Sequence, residues 1–377
     1  MRTLLPGLAT TALTAVLTTA VLTAPAQAEA AVLHAGSPTA VPGSYIVKTK
    51  SGRADVATRL GDRVTRPLDA FGGFTATLTP RQARRLAADP AVEYVEQDQV
   101  VHANATQTNA PWGLDRIDQR PLPLSTTYSW TTVGAGVTAY VIDTGIRTTH
   151  REFAGRASHC YDAVDNDSVA QDDNGHGTHV AGTIAGSTYG VAKGVRVCGV
   201  RVLGANGSGT IAGVIAGVNW VTQNAVRPAV ANFSLGGGAS TALDDAVRRM
   251  VAAGITASVT AGGSNTTVAN TSPARVVEAL TSGATNQADA RAPFSNYGAG
   301  VDLYAPGVGI TSAWHTGDTA VNTLSGTSMA TGFVSGVVAR HLQGAPTATP
   351  AQVHAEIVRE ATPLPWGGRL LHWSPAR

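Results

Sequence analysis

The sequence predicts an α/β fold for the larger part of this 377-residue chain: a mostly parallel sheet covered by helices on both faces, preceded by a small α+β unit. Three observations predict it. The strand-like runs are nearly continuous in apolar residues, helical patterns separate them, and the segment ahead of residue 105 has a pattern of its own. The larger part reads as strands at "GVTAYVID" (136–143), "VRVCGVRVL" (195–203), "PAVANFSLG" (228–236) and "ITASVTAG" (255–262). Helical patterns follow in "GTIAGVIAGVNWVTQNA", "TALDDAVRRMVAAG" and "GTSMATGFVSGVVARHL". Strands buried on both faces lose the polar alternation of a half-exposed sheet, and ligands of such sheets sit beyond the carboxyl ends of the strands.

The leading unit, residues 41–104, alternates as a strand in "SYIVKTK", then gives a short helix in "RADVATRLG" and a strand in "GGFTATLT". A helix in "PRQARRLAADP", opened by Pro80 and closed before Pro90, precedes a third strand in "VEYVEQDQV". Polar, breaker-rich "HANATQTNAP" marks the boundary and a site for proteolytic nicking. Residues 29–40 read as a small-residue linker. Before them, Met1-Arg2, the apolar "LATTALTAVLTTAVL" and the small-residue "AQA" at 26–28 read as a secretory signal peptide over residues 1–28. The alternative, a transmembrane anchor, is disfavoured by the short, threonine-rich run and by Pro25.

Composition narrows the function. Charged residues make up 14% of the chain and the net charge is +2, which excludes a disordered polyelectrolyte and a nucleic-acid binder built on a basic stripe. The exported chain is expected to be a monomer with no membrane attachment once the leader is removed. Export lets Cys160 and Cys198 form a disulfide, and the same two residues also read as small buried hydrophobes.

Three motifs carry chemistry. Asp143 ends a strand in "AYVIDTGI", His176 stands in "NGHGTHVAGTIAG" where glycines precede a helix, and Ser328 stands in "LSGTSMATG" at another glycine-flanked helix start. A serine hydroxyl is a weak nucleophile until an imidazole takes its proton, and a buried carboxylate fixes the tautomer of that imidazole and stabilises its charged form. The order Asp, His, Ser along the chain is the order of subtilisins.

On these multi-residue motifs the exported chain resembles the subtilisin-like serine proteases of the proteinase K branch over nearly its whole length. The resemblance implies a three-layer α/β/α peptidase domain over 105–377, hydrolysing peptide bonds without an organic cofactor. It implies that 41–104 is an inhibitory propeptide and folding assistant, occupying the cleft and released by cleavage near Asn104-Ala105. The first propeptide helix is short for the family, which implies leaky inhibition. "SLGG", with Ser234, Leu235, Gly236 and Gly237, resembles a strand that pairs with substrate backbone and forms one wall of the specificity pocket. "GANGSG", with Gly207, Ser208 and Gly209, resembles the facing strand, and Ala261 and Gly262 complete the substrate-binding set. Asp302 in "SNYGAGVDLYAPG" falls on a family calcium position. The acidic "DAVDNDSVAQDDNG" reads either as a calcium loop or as a solvated one. His179 reads as structural, since no third metal ligand accompanies it.

The chain departs from the family at two places. Where the family has Ala-Ala-Gly-Asn, with an asparagine amide that donates to the oxyanion, this chain has Thr260-Ala261-Gly262-Gly263. The spacing onward to "SP" at 272–273 keeps the register, so Asn265 is not a shifted substitute. The backbone N–H of Ser328 is then the remaining oxyanion donor. The second departure is Gly332 where the family has proline after "SMAT", which predicts a less rigid start to the nucleophile's helix. Two readings follow: a secreted endopeptidase with an impaired oxyanion hole, or a pseudoprotease that binds peptides in a retained cleft. Retention of all three triad residues favours the first.

Overall fold

The computed structural model describes residues 28–37, 40–50, 55–100 and 105–375. The expected leader lies outside the described residues up to residue 27, and so does Asn104 at the expected maturation site. The chain forms two compact units, Met1–Val101 and His102–Arg377.

The small unit runs β1 (Ala40–Thr49), α1 (Asp55–Leu60), β2 (Val64–Leu68), β3 (Gly73–Thr77), α2 (Pro80–Ala87) and β4 (Val92–Gln99). Its sheet has the order β2-β3-β1-β4, antiparallel throughout. Alternation buries Tyr45 and Val47 from β1, Phe74 and Ala76 from β3 and Val95 from β4 against Val56 and Ala83 of the helices. Thr79 and Gln82 close a reciprocal cap on α2 with Pro80 in its first turn. Two features differ from expectation. β2 was not anticipated because Pro67 lies within it, and it is tolerated because β2 pairs only with β3 at the sheet edge. Residues around 29–37, expected to be linker, are tied to the unit: the Ala30 N–H donates to Arg84 O, the Leu33 N–H to Val95 O, and Glu29 pairs with Arg84 at 2.8 Å. Backbone pairing of this kind leaves no hydrophobic period to read.

The large unit opens with β5 (Ala105–Thr108) and β6 (Thr127–Trp130), an antiparallel ribbon flanking α3 (Trp112–Asp118). It continues through β7 (Thr138–Asp143), β8 (Ala157–Asp162), α4 (His176–Ala185), β9 (Arg196–Arg201), α5 (Ile211–Asn224), β10 (Ala229–Phe233), β11 (Gly237–Gly238) and α6 (Thr241–Ala252). Then come β12 (Thr256–Thr260), β13 (Thr271–Ser272), β14 (Leu280–Thr285), β15 (Leu303–Pro306), the hairpin β16 (Ile310–Ala313) and β17 (Val321–Leu324), and α7 (Thr327–Gly344). α8 (Pro350–Glu360), β18 (Thr362–Pro363) and β19 (Arg369–Leu370) end it.

Nine strands form one sheet in the order β18-β19-β15-β14-β12-β10-β7-β9-β8, parallel except for the β18–β19 edge. Its two faces are covered separately. Ala139 and Val141 of β7 point into a core with α4, α7 and α8, while Tyr140 and Ile142 point into a second core with α5 and α6. This is the predicted three-layer arrangement. From β7 the chain runs to β8 and back to β9 on one side, then crosses to β10 on the other, so the carboxyl end of β7 lies at the crevice where such sheets bind ligands.

Candidate active site

Asp143 is the last residue of β7 and is fully buried. Its Oδ1 accepts from His176 Nδ1 at 2.7 Å and from the Thr144 N–H at 2.8 Å. Its Oδ2 is buried with no hydrogen-bond partner among the described residues. His176 is the first residue of α4 and is partly exposed. Its approach is fixed by Asp172, a buried residue that sequence reading did not single out. Asp172 Oδ1 accepts from Thr144 Oγ1, from the Asn174 N–H and from the Gly175 N–H. Asp172 Oδ2 accepts from the Thr178 N–H and Thr178 Oγ1, capping the first turn of α4. The available signal was the Asp-x-x-Gly turn directly before a helix start. Burial opposes the charge on His176, yet the nearby carboxylates of Asp143 and Asp172 outweigh it and hold the imidazole above the ordinary histidine range.

Ser328 lies in the first turn of α7, a helix that runs through the core almost wholly buried. Hydroxyls from the sheet and from α7 itself anchor that turn. Thr260 Oγ1 donates to Thr327 Oγ1 at 2.6 Å, Thr331 Oγ1 donates to Thr327 O, and Ser282 Oγ and Thr331 Oγ1 lie 2.8 Å apart. Ser234 Oγ donates to Ser328 O, and Ser328 Oγ donates to Ser234 O at 3.1 Å. Among the described residues, no hydrogen bond joins Ser328 Oγ to His176. Gly332 has a steric reason: a Cβ there would lie 3.1 Å from the Thr183 side chain, where α7 crosses α4. Side-chain hydroxyls and a close helix crossing thus surround the helix start at which Gly332 stands.

A cavity of about 450 Å³ opens beside His176 and gathers most of the expected substrate-binding residues: Gly207, Ser208, Gly209, Ser234, Leu235, Gly236 and Gly237. Leu203, Ile211, Val214 and Leu243 add an apolar lining. Ala261 and Gly262 do not line it. Ala261 is fully buried, and its carbonyl accepts from Asn296 Nδ2. The expected facing strand is not one: residues 204–209 form a turn closed by the Gly204 N–H donating to Ser208 O, with Gly207 in the left-handed region at φ +75°. A lone segment without a pairing neighbour has no ladder to keep it extended.

A Cβ at Gly263 would meet nothing within 4 Å, so the position is open rather than filled by another group. Asn265 faces elsewhere: its Oδ1 accepts from Arg291 Nη1 at 3.1 Å. On either side of it the Ser264 and Thr266 N–H groups donate to Asn296 Oδ1, both at 3.0 Å. Asn296, buried and unforeseen, therefore clamps the turn that carries Gly263.

No cluster of three or more His, Cys, Asp or Glu side chains able to hold a metal occurs among the described residues. Asp302 Oδ2 accepts from the Thr281 N–H, and its Oδ1 pairs with His354 Nε2 at 3.2 Å. In the acidic run, Asp162, Asp165 and Asp173 converge on the Arg201 guanidinium. His179 is fully buried with Nε2 at 3.0 Å from Ile310 O, and burial pushes it down to about 4, a neutral structural residue. Cys160 and Cys198 are joined as a disulfide between β8 and β9, with Cα atoms 5.7 Å apart.

An α/β sheet that brings an aspartate and a histidine into contact at its crevice, with a helix-borne serine in the same unit, defines the serine hydrolase class. Comparison with known proteins makes the family specific. Residues 134–372 match the Subtilase family and residues 28–104 match the Peptidase inhibitor I9 family. The chain is 51% identical over 364 residues to an extracellular serine proteinase of Thermus sp. (strain Rt41A), covering 89% of this chain and 88% of that protein. It is 55% identical over 299 residues to alkaline serine exoprotease A of Vibrio alginolyticus, covering 78% of this chain and 56% of the length of that protein. The crystal structure of a cold adapted subtilisin-like serine proteinase is 54% identical with a TM-score of 0.68, covering 70% of this chain and 98% of the other. The chain belongs to the subtilase family and is a subtilisin-like serine protease with an I9 inhibitor domain ahead of it. Subtilases need no organic cofactor.

Among the described residues no helix is long and apolar enough to cross a membrane.

Proposed function

We propose that the mature part, from about residue 105, is a secreted monomeric endopeptidase with a weakened oxyanion hole. Ser328 Oγ attacks the scissile carbonyl, His176 Nε2 takes its proton and later passes it to the leaving amine, and Asp143 holds the Nδ1–H tautomer. The 2.7 Å contact between His176 Nδ1 and Asp143 Oδ1, at the edge of an apolar-lined cavity, carries this reading. In the structure Ser328 Oγ donates to the Ser234 carbonyl. A substrate N–H that pairs with this carbonyl along the Ser234–Gly237 segment releases the hydroxyl towards His176, so binding assembles the nucleophile–base contact.

Charge grows on the carbonyl oxygen in the transition state, and a first-turn N–H such as that of Ser328 is aimed to receive it. With Gly263 the side-chain donor is gone, and loss of one such donor costs about 10²–10³ in turnover. The I9 unit serves as intramolecular inhibitor and folding assistant, and protein or peptide chains with a large apolar residue before the scissile bond are the substrates. The open space at Gly263 favours a second reading, a pseudoprotease that binds peptides without turning them over.

Turnover of a chromogenic peptide with such an apolar residue, compared between mature protein and its Ser328→Ala variant, separates the two. Turnover well above the variant is expected. Equal rates with retained peptide binding would leave the pseudoprotease.

A further inference from the structure

Arg201 is a cation buried at the root of the loop that leads to His176. It ends β9, in register with Asp143 of β7 on one side and with Asp162 of β8 on the other. The Val202 and Leu203 N–H groups after it donate to the Asp143 carbonyl. Its Nη1 donates to Asp162 Oδ2 at 2.7 Å and to Asp165 Oδ2 at 2.5 Å, and its Nη2 to Asp173 Oδ2 at 3.3 Å. Among the described residues it is the one cation paired with the carboxylates of residues 162–173.

We infer that Arg201 is a positioning residue for the catalytic base: an internal cation that gathers the acidic loop and thereby sets Asp172 and His176. This rests on the roles proposed for Asp143 and His176. The loop carries like charges that repel one another, and its last two, Asp172 and Asp173, are adjacent. Asp173 points to Arg201 while Asp172 organises the turn that delivers His176 to Asp143. The guanidinium thus fixes one side of a dipeptide whose other side fixes the base. Sheet register does not depend on it, because the Cys160–Cys198 disulfide already joins β8 to β9 just before Arg201 and Asp162. What Arg201 adds is therefore the place of the loop rather than the pairing of the strands. The planar fork suits this task, reaching carboxylates in two directions at once.

The test compares Arg201→Gln, Arg201→Lys and Asp173→Asn in the full mature protease. Two readouts are used: steady-state kinetics, and the low-field NMR proton of the His176–Asp143 hydrogen bond. Arg201→Gln is expected to lower kcat about tenfold with KM nearly unchanged, and to broaden or abolish the low-field proton, since small displacements of a catalytic group are costly in rate. Arg201→Lys recovers part of both, and Asp173→Asn reproduces part of the loss. An Arg201→Gln protein with wild-type kcat and an intact low-field proton, whatever its melting temperature, overturns the inference. If that variant does not fold, Asp173→Asn decides on the same readouts. A wild type with the low-field proton but no turnover above Ser328→Ala overturns the endopeptidase reading instead, and leaves the NMR comparison to judge Arg201.

Discussion

The two sides of the catalytic centre are built to different standards. On the base side, Asp172 accepts five hydrogen bonds from Thr144, Asn174, Gly175 and Thr178, and the segment it organises brings His176 within 2.7 Å of Asp143. On the side proposed for the oxyanion, the turn at Gly263 is also clamped, by Asn296, but Gly263 has no side chain to offer a reacting oxygen. On the proposed roles, proton transfer keeps its full set of groups, while stabilisation of the developing charge has lost one. These are separable contributions to a barrier, so substitutions on the two sides should act in opposite directions.

The largest effect is expected on the intact side. Asp143→Asn keeps the shape of the residue but offers an amide N–H₂ to His176 Nδ1, which favours the wrong tautomer. A fall in kcat of about 10⁴ is expected by steady-state assay at constant pH. A fall of less than about tenfold would mean that the weakened oxyanion hole limits the rate so strongly that the base side no longer matters.

The same contrast governs what could be read from the sequence. Asp143, His176 and Ser328 were legible because each sits in a local pattern: an apolar run ending in Asp, or glycines before a helix. The parallel sheet was legible because strands buried on both faces leave continuous apolar runs, as β7 and β10 do. The partners that hold the site were not. Arg201 and Asp162 come together through β-sheet register, and Asn296 reaches a turn some thirty residues earlier in the chain. β14, with the sequence Leu-Thr-Ser-Gly-Ala-Thr, was unanticipated because small polar residues hide a strand that is nonetheless wholly buried. The open position at Gly263 was visible only against a resemblance.

Gly263→Asn tests the depleted side. Nothing within 4 Å obstructs a Cβ at this position, and Gly263 is not in the left-handed region, so the substitution meets neither crowding nor backbone strain. A rise in kcat of at least about tenfold is expected, with KM little changed, because a donor aimed at the oxyanion acts mainly in the transition state. Unchanged kcat would show that another group already donates there. A lower KM with the same kcat would place the new amide on the bound substrate instead.

The smallest effect is a displacement of the pH profile, and it distinguishes the two sides most cleanly. His176 must be neutral to accept the Ser328 proton. The carboxylates of Asp143 and Asp172 stabilise its protonated form against the opposing effect of burial, so its pKa is raised. The sign follows: as pH falls, the imidazole gains its proton earlier than an ordinary histidine would, and activity is lost from above. The acid limb of kcat/KM is expected at a pH above the usual histidine value of about 6.5. Asp172→Asn removes one of the charges that raise the pKa, and should move the limb to lower pH while also lowering the plateau through lost hydrogen bonds. Gly263→Asn should raise the plateau and leave the limb in place, since the new amide carries no charge. A limb that moves with Gly263→Asn but not with Asp172→Asn would show that the titrating group is not His176, and the division of the site into two independent sides would fail with it.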